Sequence, residues 1–241
     1  MCAIVLCHAG LIRVYPIPAD KPFRVWSRVE LELGMTKTDP RKESYSLLNY
    51  KVTGEIKDKS ERRQILDRCV LQSGTQDPIK YQNHEDRRSS ICVVKPNHET
   101  LGFKMVRKTP RPDDDWVYTQ DMSWSKPFLE WDSIQGSHHS SHIVAREAYE
   151  YLRKNPDKPA NLFDRMGLGT PDWDYWLVLG NIKDQRTTWC VVWVHRQKKT
   201  TGLSTLLYCD PIHGKTEEWP YSAQADGNAP DAQMELALAG I

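Results

Sequence analysis

The chain has 241 residues, 39% hydrophobic and 27% charged, with 33 basic against 32 acidic side chains and a formal net charge of +1. That composition is globular rather than disordered, and the charge balance argues against a nucleic-acid binder, whose domain is usually basic. No apolar run approaches the roughly 20 residues of a membrane-spanning helix, and the opening MCAIVLCHAG lacks the basic start of a signal peptide.

In chain order, Ala3 to Cys7 and Leu11 to Tyr15 read as two strands around a tight turn at His8-Ala9-Gly10. Pro16, Pro18 and Pro22 end that ladder. The next segment is ambiguous. Val29, Leu31 and Leu33 alternate with Glu30 and Glu32 as in a strand, while Trp26, Val29 and Leu33 also sit at helical spacing. Tyr45 to Ile56 is extended, with Gly54 as a bulge or turn. Asp58 to Leu71 reads as a short helix capped by Ser60, and Ser73 to Arg88 as irregular. Ser90 to Lys95 and Leu101 to Lys108 are strands joined at Pro96-Asn97-His98. Thr109 to Glu130 is a long loop rich in proline and aromatic residues, read as a docking arm. The stretch Gly136-Ser137-His138-His139-Ser140-Ser141-His142 leads into a helix capped by Ser140 or Ser141, with Val144, Ala148 and Leu152 on its apolar face and Asn155-Pro156 as its stop. Asp157 to Thr170 is a connecting loop.

Three apolar runs follow: Tyr175 to Leu179, Trp189 to Val194 and Leu203 to Tyr208. β-Branched and aromatic residues crowd them, which is strand chemistry. The middle run is apolar on both faces, with Trp189, Val191 and Trp193 on one side and Cys190, Val192 and Val194 on the other. It reads as the central strand of a buried meander. The fold class is mainly β with peripheral α (α+β): an antiparallel β-sandwich with a few helices and long docking loops. Residues 1–221 form one sandwich-like domain. Residues 222–241 form a tail ending in an apolar scrap from Met234 to Ile241, too short to fold without a surface to lie on.

Nine tryptophans and ten tyrosines against four phenylalanines favour interfaces, because each has an apolar body and a polar handle. The interface candidates are Trp116, Tyr118 and Trp124 in the arm and Trp219 and Tyr221 before the tail. The six cysteines form no CxxC pair and read as thiols of a reducing compartment. His138, His139 and His142 are the best metal candidates, yet no cysteine or carboxylate follows at zinc spacing, and a cap or interface role is favoured. Asp113, Asp114 and Asp115 lack EF-hand spacing and read as a solvated acidic knuckle. Cys190 and His195 are five apart on one strand and face opposite ways, so they cannot pair as nucleophile and base. Cys7 with His8 fails for the same reason, and nothing selects Cys69 or Cys92 with His213. No phosphate loop, GxSxG elbow or HExxH is present. No catalytic, metal or cofactor site is expected from the residues.

The order of elements resembles the cypovirus polyhedrins, the crystal-forming proteins of insect reoviruses. The opening hairpin closing on Gly10, the Lys104-Met105 strand, the Pro112-Asp113-Asp114 stretch leading to Trp124, and Gly136-Ser137-His138 before a helix carry the resemblance. It implies a viral occlusion-body structural protein and no enzyme. Such a protein packs as trimers into a lattice in the host cytoplasm, embeds and protects virus particles, binds no membrane or specific nucleic acid, and dissolves in alkali. Family lattices also hold nucleotides. In the family a projecting N-terminal helix ties trimers together. Here a strand comes first, so Ser222 to Ile241 is the candidate exchange arm. Two alternatives stand beside this reading: an intracellular Cys-dependent hydrolase, and a viral matrix-like RNA-binding protein.

The composition carries the alkaline expectation independently. Around pH 10 to 11 thiols, tyrosines and lysines lose protons, and a charge-balanced protein becomes anionic and self-repelling.

Overall fold

The computed structural model describes residues 2–7, 10–18, 20, 23–36, 39, 41–71, 74–84, 89–107, 125–182, 185–199 and 236–240. The chain is mainly β with few helices, as its composition and periodicity predict. Along it run β1 (Ala3–Cys7), β2 (Gly10–Tyr15), β3 (Ser27–Met35), β4 (Ser44–Glu55), α1 (Lys59–Cys69), α2 (Pro78–Gln82), β5 (Ile91–Val94) and β6 (Asn97–Arg107). Then come β7 (Ser125–Asp132), β8 (His138–Ile143), α3 (Arg146–Lys154), a 3-10 turn (Pro159–Asn161), α4 (Leu162–Met166), β9 (Trp173–Ile182), β10 (Gln185–Lys198) and β11 (Leu236–Gly240).

Two sheets result. One has five strands in the order β11-β1-β2-β4-β3; the other has six in the order β5-β9-β10-β8-β7-β6. Both are mixed rather than antiparallel. β2 runs parallel to β4, and β8 runs parallel to β10 over Cys190↔His142 and Val191↔Ile143. A parallel neighbour comes from a crossover connection, which local hairpin signals do not reveal.

In β3, period two wins over period 3.6. Val29, Leu31 and Leu33 are buried while Arg28, Glu30 and Glu32 are exposed. The predicted irregularity at Gly54 is a bulge: Arg28 faces Gly54 but Val29 faces Val52. β10 is central as expected, between β9 and β8. The third run, Leu203 to Tyr208, lies outside the described residues. The facing of β10 differs from simple alternation. A register shift between Val191 and Trp193 inserts one residue, so Trp189 and Val191 pack into one core while Val192 and Trp193 pack into another.

Three apolar cores hold the body together. The first lies on one face of the six-stranded sheet, where Leu129, Trp131, Leu177, Leu179 and Val191 meet Ile79 of α2, Ala148 and Leu152 of α3 and Leu162 of α4. The second lies on the other face, where Trp176, Val178 and Val192 meet Ile65 and Leu66 of α1 and Ile4 of β1. The third lines the five-stranded sheet with Val5, Ile12, Val14, Val29, Leu31 and Leu33. That sheet curls, bringing its edge strands β3 and β11 within 8 Å, Cα to Cα.

Several expected boundaries move. α1 is capped by Asp58, whose side chain accepts from the Ser60 and Glu61 amides, and not by Ser60. Residues 73–88 are not wholly irregular, because Asp77 caps α2 and Pro78 opens it. The end of the predicted docking loop is β7, with Pro127 inside the strand. The histidine stretch is β8 rather than a helix start. α3 begins at Arg146, and its cap Ala145 makes no side-chain bond. Pairing of β8 with β7 and β10 satisfies more backbone groups than a serine cap would. The stop at Asn155 is as predicted, and Ala148 and Leu152 form the buried face. The connecting loop contains α4, ended by Gly167 at φ 65°, where an added Cβ would fall 0.9 Å from an Arg196 nitrogen. The apolar tail finds its surface on this chain: β11 adds antiparallel to β1.

Candidate functional site

The five interface candidates Trp116, Tyr118, Trp124, Trp219 and Tyr221 lie outside the described residues, as do Asp113, Asp114, Asp115, His213 and Cys209. The other predicted groups can be placed.

The three histidines of β8 do not converge. Successive strand residues point to opposite faces, and each ring has its own partner. His138 Nδ1 lies 2.8 Å from an Asp132 oxygen. His139 Nε2 lies 2.7 Å from Asp77 Oδ2, and its ring stacks on Trp131 at 4.3 Å. His142 Nε2 lies 2.7 Å from the Tyr149 hydroxyl, and its ring stacks on Phe128 at 5.4 Å. Among the described residues no three metal-ligating side chains gather. Asp77 caps α2 and orients His139 at once. Burial alone would raise its carboxyl, but the Lys80 amide, His139 and Ser133 outweigh that and hold it below the usual range.

The fold does bring one thiol beside one imidazole. Cys190 and His142 are register partners on the parallel strands β10 and β8, which lie about 4.8 Å apart. The sequence concealed this pair, because parallel pairing joins residues with no local signal. Its electrostatics are those of two neutral groups. Burial raises the Cys190 thiol against the pull of Lys126. Burial, reinforced by Lys126, lowers His142 to about 4. A nucleophilic pair needs the thiolate and its imidazolium, and this environment disfavours both.

A second cluster centres on His195. Its ring meets Trp26 at 5.1 Å, Trp193 at 5.2 Å and Trp176 at 5.7 Å. Three cations, two from α1 and one from the end of β5, cover these aromatics. Arg62 lies 5.1 Å from the Trp26 ring, Arg63 5.2 Å from Trp176, and Lys95 5.0 Å from Trp176. Carboxylates hold the cations in turn. Arg63 pairs with Asp174, Lys95 lies 3.8 Å from Asp174 and from Asp67, and Arg62 lies 3.8 Å from Glu55. The Trp176 indole donates to Asp67 at 2.9 Å. Trp26 adopts φ 71°, a strained conformation for a side chain of this size, costing about 1–3 kcal/mol. It is held because the Trp26 carbonyl accepts from the Ile56 amide at 2.8 Å and the indole is 5% exposed. The tryptophans spread over 168 residues of chain thus meet under α1. Their number was visible in the sequence, their convergence was not.

No family model, curated protein or solved structure matches the chain. Of the features quoted for the likeness to cypovirus polyhedrins, Gly136-Ser137-His138 leads into β8 rather than a helix, and Pro112-Asp113-Asp114 with Trp124 lies outside the described residues. No helix among the described residues is long and apolar enough to cross a membrane.

Proposed function

We propose that this protein is a self-assembling structural protein of the occlusion-body type. Copies associate, as trimers and then as a lattice, in the host cytoplasm, enclose virus particles, and separate in alkali. The observation that carries this reading is apolar surface on a charge-balanced body. Leu48 is 64% exposed, Met35 62% and Val52 50%, all on the paired strands β3 and β4. With a net charge of +1, copies meet little long-range repulsion. Large apolar side chains on neighbouring strands then favour contact with another surface. At neutral pH the purified protein is expected to scatter light as large particles, and Leu48→Lys to reduce their yield at least tenfold. A protein that stays monomeric at millimolar concentration rejects the proposal.

A second reading, a Cys-dependent hydrolase, rests on the Cys190–His142 register pairing, against an environment that keeps both groups neutral. Iodoacetamide labelling separates the two. Under the structural reading Cys190 reacts at pH 7 at least tenfold more slowly than a free thiol, because its thiolate is suppressed and its side chain buried. Labelling faster than a free thiol supports the hydrolase.

A further inference from the structure

The His195 cluster has a feature that a purely structural core does not require. A titratable ring sits in an aromatic cage closed by the cationic side of a helix. From α1, Arg62 and Arg63 face it, with Asp67 on the same helix bound to Trp176. From the end of β5 comes Lys95, from β9 Asp174, and from the end of β4 Glu55. On β10 itself the polar neighbour is Gln197. Every carboxylate in this set already serves a cation or an indole, and no ion pair of His195 occurs among the described residues. His195 Nε2 is buried without a hydrogen-bond partner.

We propose that His195 is a proton-operated latch for α1: taking up a proton sets a third positive charge beneath Arg62 and Arg63 and releases the helix from the six-stranded sheet. Three things make α1 the element that yields. It supplies Arg62 and Arg63, the two cations whose charges act on the ring. Its apolar grip is short, Ile65 and Leu66 with Cys69 beside them, and its polar ties run through the same charged groups, Arg63 to Asp174 and Asp67 to the Trp176 indole, that a charge on His195 would disturb. By contrast β9 and β10 are tied by a long hydrogen-bonded ladder. The charged ring gains some attraction from the tryptophan faces, but it gains none that the open, hydrated form lacks.

Burial, reinforced by Arg62 and Arg63 and opposed by Gln197, holds the ring's proton affinity down to about 4. A lowered folded value means the closed form is fully favoured above the ordinary histidine value near 6.5 and loses ground as pH falls towards 4. Each unit in that window favours the open form about tenfold.

Hydrogen exchange of the α1 amides tests this, after correction for intrinsic rates. Between pH 6.5 and 4.5 the wild-type protection of residues 59–69 should fall about 40-fold while that of β9 holds. In His195→Gln the fall should vanish, and in His142→Gln it should persist. Equal losses in α1 and β9, or an unchanged fall in His195→Gln, overturn the proposal. Should His195→Gln not fold, the ring titration of His195 in the wild type by NMR decides instead. A value near 4 supports the latch; one at or above 6.5 overturns it.

Discussion

Asp39→Ala should destabilise the protein by about 3–5 kcal/mol, the cost of stripping a buried ion pair of one partner. Asp39 is 7% exposed and the Arg13 residue 6%. Arg41 grips Asp39 with both arms, Nε to Oδ1 at 2.8 Å and a terminal nitrogen to Oδ2 at 2.5 Å. The Ser44 hydroxyl donates to the same carboxylate at 3.0 Å. From this centre the network crosses between sheets. Arg41 donates to the Asn181 carbonyl of β9 at 2.9 Å. Arg13 donates to the Ser44 hydroxyl at 3.3 Å and to the Ser90 hydroxyl at 2.9 Å. The Ser90 amide donates to Glu43.

Removing the carboxylate leaves Arg41 and Arg13 close together and undercompensated. Burial and the charge of Arg41 already depress Arg13. Burial alone would raise Asp39, yet the bonds and charge of Arg41 with Ser44 hold it well below the usual carboxylate range. Its contribution is therefore full above about pH 4 and fades as pH falls further. Asp39→Asn keeps the shape and part of the bonding and should lose less than Asp39→Ala. Urea denaturation at pH 7 measures both. A loss under about 1 kcal/mol for Asp39→Ala would show that the network does not join the sheets.

None of that network was legible beforehand. Arg13 is one polar residue in an otherwise apolar strand, and Asp39 and Arg41 lie in the polar, charged stretch from Thr36 to Glu43, which has no apolar period. What brings them to Ser90 and Asn181 is the meeting of two sheets, a long-range event without local pattern. The strands β1 and β2 were legible from their apolar, β-branched runs, while β3, which also fits helical spacing, stayed ambiguous until the structure showed its alternating burial. They were misread where pairing overrode composition. β8 carries serine and histidine, both weak strand formers, and is a strand because β7 and β10 flank it. α2 was missed for a different reason. Its signal, Asp77 followed by Pro78, was present, but five residues are too few to show a period. The same limit hid the functional groups. The three histidines are adjacent in sequence and separate in space, while Cys190 and His142 are far apart in sequence and adjacent in space.

The buried thiols set the second large effect, a fold that opens in base. Cys2, Cys69, Cys92 and Cys190 are in no disulfide. Burial pushes Cys69 up to about 12 and raises Cys92, Cys190 and Cys2. It raises the Tyr45 phenol as well. In the unfolded chain a thiol ionises near 8.5–9. A raised folded value means the stabilisation is complete below that point and is lost as pH rises towards the folded value. Each such thiol removes about 1.4 kcal/mol per pH unit across the window. Cys69 and Cys92, the two most strongly raised, together remove about 3 kcal/mol per unit, against a total stability of about 5–15 kcal/mol. Unfolding should therefore set in about two units or more above pH 9, read by tryptophan fluorescence and circular dichroism.

Cys92→Val keeps an apolar side chain at a site that is 3% exposed and abolishes one ionisation. Its alkaline slope should fall by about 1.4 kcal/mol per pH unit and its midpoint should move up. Alkali would then act on the proposed lattice twice, by charging the contacts between copies and by loosening each copy from within. The two are separable. If Cys92→Val particles dissolve at the wild-type pH while the isolated subunit unfolds later, contact repulsion alone drives dissolution. If both transitions move together, subunit opening is the limiting step. A wild-type subunit still folded at pH 12 would remove the internal contribution altogether, because the thiols would then gain nothing from exposure.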